Sequence, residues 1–129
     1  MSVQRYGSGG PWENNYGYSR LVVAGSRAYV SGCTATVDGV VQGHGDPYQQ
    51  TLVAIDVARK ALEEAGFTLD DVVRTRWYVV HGRDIAEVGR AHGEAFRTIR
   101  PAATVLVVSG LVDPGMLVEI EFDADKGTP

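Results

Sequence analysis

RPAATVLVVSGLVDPGMLVEIEFDA, residues Arg100–Ala124, is the stretch that decides the fold. In its second half Val118, Ile120, Phe122 and Ala124 interleave with Glu119, Glu121 and Asp123. Strand side chains alternate between faces, so Met116–Ala124 reads as a strand with one apolar and one acidic face. Thr104–Ser109 reads as a second, Val-rich strand, and Asp113-Pro114-Gly115 marks the loop between the two. Pro101 ends any helical turn that reaches it.

Upstream, Asp84–Arg97 has helical spacing. Ile85, Val88, His92 and Ala95 share a face with Phe96 beside it, and Asp84 with Glu87 fits a capping box. Val72–Val80 reads as a strand with Val73, Thr75, Trp77 and Val79 on one face and Arg74, Arg76 and Tyr78 on the other. Asp46–Gly66 is the clearest helix. Asp46 and Gln49 form a capping box, Pro47 takes the first helical position, and Gly66 suits the left-handed residue after the end. Its stripe is Leu52, Ile55, Ala58 and Leu62, widened by Val53, Val57 and Ala61. Tyr18–Ala24 and Arg27–Ser31 flank Gly25-Ser26 and predict a hairpin. Thr34–Gly45 reads as a loop and residues 1–16 as an irregular lead-in with room for one short strand.

The order ββαβαββ fits one α+β domain over residues 1–129, a single mixed sheet with two helices on one face. The other sheet face stays open and carries charged and aromatic residues, as a subunit interface does. A formal charge of −4 argues against nucleic acid, which needs a basic face. The lone cysteine, Cys33, excludes an internal disulfide or a CxxC pair and points to a reducing, cytoplasmic setting. Met1–Trp12 lacks the apolar core of a signal peptide, and no apolar run is long enough to span a membrane.

Few residues offer chemistry. Glu119 fits a general acid/base or water-positioning group at an interface pocket, whereas Glu121 and Asp123 fit a solvated face or one paired with Arg74 and Arg76. Gly32, at a strand end, allows close backbone approach and an N–H free for an anionic ligand, or is a plain strand-to-loop step. Cys33 reads as a buried, inert thiol. His44, His81 and His92 have no metal-ligand spacing, so no metal is expected, and His92 reads as a packing residue. Trp12 and Trp77 read as core or interface anchors.

Three stretches carry a resemblance. Tyr18-Ser19 with Tyr29-Val30-Ser31-Gly32 resembles the first hairpin of the YjgF/RidA family. Pro101-Ala102, Leu111–Pro114 and Leu117–Glu121 resemble its C-terminal signature, and Asp84–Phe96, around Val88-Gly89-Arg90-Ala91-His92, is similar to its second helix. The resemblance implies a chorismate-mutase-like fold, a homotrimer with a barrel-like interior, and three clefts between subunits. It implies hydrolysis of enamines and imines such as 2-aminoacrylate, with no cofactor or metal. It puts the water-directing glutamate on Glu119 and substrate contacts on Tyr18, Gly32 and Val105, and Cys33 falls where glutamine is common. The arginine that holds the substrate carboxylate falls on Ala103, and a pocket asparagine falls on Gly89.

Leaving a buried carboxylate unpaired costs about 3–5 kcal/mol. The expected activity is therefore an imine or enamine deaminase of altered substrate range, not a standard 2-aminoacrylate deaminase. The subgroup it resembles lacks the arginine. The alternative is a non-catalytic trimer that binds a small ligand or has a regulatory role. A ribonuclease, suggested by the family's older endoribonuclease L-PSP label, is disfavoured by the acidic balance. Arg20, Arg76 and Arg100 are the candidate replacement anchors.

Overall fold

The computed structural model describes residues 2–127. Eight strands and three α-helices follow in the order β1 (Val3–Tyr6), α1 (Pro11–Tyr16), β2 (Leu21–Ala24), β3 (Arg27–Cys33), β4 (Thr36–Val37), β5 (Val40–Val41), α2 (Pro47–Glu64), β6 (Val72–Val79), α3 (Ile85–Phe96), β7 (Ala102–Val107) and β8 (Val118–Asp125). The main sheet runs β1-β2-β3-β8-β6-β7. Only β6 and β7 pair in parallel, with α3 as their crossover, so the sheet is mixed. Both long helices pack together and α2 lies against β3 and β8, which gives the α+β layers expected.

β8 organises the core. Val118, Ile120, Phe122 and Ala124 are buried, and Glu119, Glu121 and Asp123 face the other way. Phe122 meets Phe96 of α3 edge-on at 5.4 Å. The main cluster adds Leu21, Val30, Ile55, Ala58 and Leu62. Asp46 caps α2 as its sequence demands, its Oδ1 accepting the Gln49 N–H at 3.0 Å. Past the cap residue Ala65, Gly66 enters the left-handed region at φ 86°, and the Phe67 N–H reaches back to the Leu62 carbonyl.

Several expectations need correction. The lead-in holds the short strand for which it had room, Val3–Tyr6 paired with β2, but Pro11–Tyr16 is a short helix and not irregular. Thr34–Gly45 contains a two-stranded ribbon, β4–β5, turning on Asp38-Gly39. The Asp84–Glu87 capping box does not form. Asp84 ends a 3-10 turn over Gly82–Asp84 with right-handed backbone angles, and Glu87 bonds Arg90 instead. A register shift between Val72 and Arg74 breaks the expected alternation in β6, so Val72 is buried and Val73 is exposed. β7 begins at Ala102, which places Ala103 inside the strand.

Candidate functional site

The first hairpin builds the site. Between Val30 and Cys33 the register of β3 on β8 shifts, so Ser31 and Gly32 together lie opposite Glu121. A bulge of this kind re-aims the chain locally. Ser31 is held by its N–H on the Arg20 carbonyl at 3.0 Å and by its Oγ on the Ser19 carbonyl at 2.7 Å. The Arg20 Nη2 donates to the Gly32 carbonyl at 2.6 Å. These bonds fix Tyr18–Arg20 against the bulge.

Glu119, the second residue of β8, lies over Gly32. A Cβ added at Gly32 would collide with the Glu119 carboxylate. Glycine is therefore required here for space, and not for a positive φ. Burial pushes the Glu119 carboxyl above the ordinary carboxylate range, while Arg20 pulls it back and Glu121 adds to the rise. No Arg20 nitrogen lies within 4.0 Å of a carboxylate oxygen among the described residues.

These groups open onto a cleft of about 960 Å³, where Tyr18, Arg20, Gly32 and Glu119 meet. Ser8–Glu13 and Tyr16 form its rim, with Val57, Val112 and Met116 as apolar lining. Trp12 and Tyr16, spaced one helical turn apart on α1, stack with centroids 5.2 Å apart. Trp12 is thus a cleft wall and not a core anchor. Arg20 was one of three candidate anchors in the sequence, whereas this aromatic wall did not stand out there as a site feature. The signal for the wall was Pro11 starting a helix with Trp12 and Tyr16 four apart.

The remaining site candidates fall elsewhere. The Cys33 side chain is buried in the main core, with its thiol donating to the Ser31 carbonyl, and burial pushes the thiol up to about 11. It does not line the cleft, which corrects its assignment as a substrate contact. Ala103 and Val105 lie on the edge strand β7, beyond β6 from Glu119, and line no part of this cleft. Val105 packs toward Val79, Val88 and Val118. Gly89 faces the Trp77 ring, 3.8 Å from where a Cβ would stand.

Of the three candidate anchors, Arg76 is taken by Asp123 at 3.4 Å and Glu121 at 4.0 Å on the open sheet face. There the Tyr78 hydroxyl also donates to Glu121. Arg100 borders a shallow depression of about 390 Å³ with His92, Arg97 and Pro101. Only Arg20 reaches the cleft. His92 is a packing residue, as its stripe position suggested. Trp77 Nε1–H donates to Thr75 Oγ1 at 3.0 Å, and the Thr75 hydroxyl is hydrogen-bonded to His92 Nε2 at 2.8 Å. Burial pushes His92 down to about 4.

The comparisons with known proteins agree with this architecture. The Endoribonuclease L-PSP family model matches residues 13–126. The uncharacterized protein SCO2049 of Streptomyces coelicolor is 45% identical over 126 residues, 98% of this chain and 94% of that one. The RutC family protein PH0854 of Pyrococcus horikoshii is 30% identical over 112 residues, 84% of this chain and 86% of that one. Among solved structures, Rv2704 of Mycobacterium tuberculosis, a member of the YjgF/YER057c/UK114 family, is 42% identical. It superposes with a TM-score of 0.87 over 96% of this chain and 99% of its own. Sheet order, helix placement and sequence point the same way, and the chain belongs to the Endoribonuclease L-PSP family, the YjgF/Rid proteins.

Proposed function

We propose that the cleft hydrolyses a small imine, or an enamine that reaches the imine by protonation on carbon, and that Glu119 directs the water. The observation that carries this reading is the half-buried Glu119 carboxylate, raised in pKa and seated over Gly32 in a cleft shared with Tyr18. A carboxylate of raised pKa is a stronger base near neutral pH. It takes a proton as the water oxygen bonds to the imine carbon. The proton passes to nitrogen, and the carbinolamine then collapses to a carbonyl compound and ammonia. Tyr18 shapes the cleft and the Gly32 backbone borders the substrate.

The homotrimer implied by the resemblance belongs to this proposal. Leu106 and Val107 are exposed on β7, the unpaired edge of the main sheet. A neighbouring subunit would bring that edge, with Ala103 and Val105, to the Glu119 cleft. The setting is the cytoplasm, and the ligand is a small molecule. The family's endoribonuclease name is not the reading favoured here: the chain carries a net charge of −4, and among the described residues the cleft is lined by one arginine, Arg20, and three carboxylates, Glu13, Asp38 and Glu119.

A second reading, a non-catalytic ligand-binding trimer, is favoured by Ala103. The test is ammonia release from imines generated in place by an amino-acid oxidase, with 2-aminoacrylate in the panel. Turnover that Glu119→Gln abolishes supports hydrolysis. Ligand binding without turnover of any imine supports the second reading.

A further inference from the structure

Among the described residues Arg20 is the one cation lining the cleft, beside Glu13, Asp38 and Glu119, and the hydrolytic step gives it no task. A guanidinium offers five N–H donors. The Gly32 carbonyl takes one, from Nη2. The Nε is sealed from solvent and has no acceptor, and it is the only buried side-chain nitrogen or oxygen so placed among the described residues. Among the described residues no carboxylate comes within 4.0 Å of it, although Glu119 lies across the same cleft. By contrast, Arg27, Arg59, Arg76 and Arg90 each hold a carboxylate partner.

A partly buried cation with no carboxylate in direct contact is costly, and Glu119 acts on Arg20 only from across the cleft. The hairpin nevertheless holds this one in place, with Ser31 and Gly32 bonded to Arg20 by both backbone and side chain. An acceptor supplied from the cleft would meet donors that the protein leaves unused. The geometry points to Arg20 as the anchor for a carboxylate of the ligand, which places the anion on the β2–β3 side of the cleft. This rests on the reading of the cleft as the ligand site. It goes further in placing the ligand's anion at Arg20, beside β2 and β3, whereas Ala103 lies on β7 at the opposite side of the sheet.

The experiment measures binding, so it does not depend on turnover. Phenylacetate and its neutral isostere phenylacetamide are titrated into wild-type protein, Arg20→Gln and Arg20→Lys by calorimetry. The aromatic probe suits the Trp12, Tyr16 and Val112 lining. Phenylacetate is expected to bind wild type about tenfold more tightly than Arg20→Gln, with Arg20→Lys between them, as loss of one charge-assisted contact predicts. Phenylacetamide should not distinguish the three. Arg20→Gln binding phenylacetate as tightly as wild type overturns the assignment, as does wild type binding the amide as tightly as the acid.

Should Arg20→Gln fail to fold, the nitrogen-15 side-chain resonances of Arg20 in wild type decide. They shift with phenylacetate and not with phenylacetamide, or the anchor is wrong. Imine turnover indifferent to Arg20→Gln defeats the anchor and leaves hydrolysis standing. Carboxylate binding through Arg20 without turnover of any imine does the reverse.

Discussion

At the scale of single residues, the Glu119 carboxylate fills the space that the missing Gly32 side chain leaves. Gly32→Ala puts a methyl group where the carboxylate lies. The side chain must then leave its place over the bulge, and turnover should fall by about a hundredfold, the size expected for a displaced acid/base group. Circular dichroism and thermal melting would verify that the fold persists. Glu119 also sets a pH dependence. Burial raises its pKa, so the ionised, proton-accepting form is lost as pH falls through a value above the ordinary range. Turnover should therefore have an acid limb above that of a free glutamate. Arg20 lowers this pKa, with Glu121 opposing it, so Arg20→Gln should move the limb to higher pH. A pH–rate profile for both proteins checks the sign.

Among the elements, α3 is tied to β6 by the relay from Trp77 through Thr75 to His92. His92 titrates near 4 instead of 6.5, because burial disfavours its charged form. A depressed histidine binds fewer protons folded than unfolded in that range. Its contribution to stability is fully present above pH 6.5 and is lost as pH falls toward about 4, by roughly 3 kcal/mol over that window. Urea midpoints against pH should show a steeper acid decline for wild type than for His92→Gln.

The same elements show what sequence could and could not tell. The two faces of β8 were legible because alternation is local and period two admits no other strand reading. The stripe of α3 was legible for the same reason. The true start of α3 was not, since a 3-10 turn consumed Asp84 before it could cap. Arg20 joined the site only through the bulge at Ser31-Gly32, a property of pairing between β3 and β8. Cys33 stood one residue beyond Gly32 in sequence but faced the core, because the strand turns each successive side chain over.

The whole molecule shows one closed side and one open one. Helices cover the apolar face of the sheet, while Arg76, Tyr78, Glu121 and Asp123 form a polar network on the other. At the sheet's edge, β7 offers an unpaired strand with exposed Leu106 and Val107. Such edges are ordinarily covered. Sedimentation equilibrium should give three times the 13.9 kDa chain mass, and a monomer would remove Ala103 and Val105 from any shared cleft. The proposed trimer was beyond composition and periodicity, and the sequence offered it only through family resemblance. The missing arginine at Ala103 was visible in the sequence; its neighbourhood was not, because sheet order is set by non-local pairing.

The central claim is that Glu119 makes the cleft a hydrolytic site. Ammonia release from a panel of enzymatically generated imines, with wild type and Glu119→Gln compared under single conditions, tests it most directly. The account predicts acceleration of at least one imine by wild type and a loss of about a hundredfold or more in Glu119→Gln. Equal rates in the two proteins, or no acceleration of any imine by wild type, would contradict it.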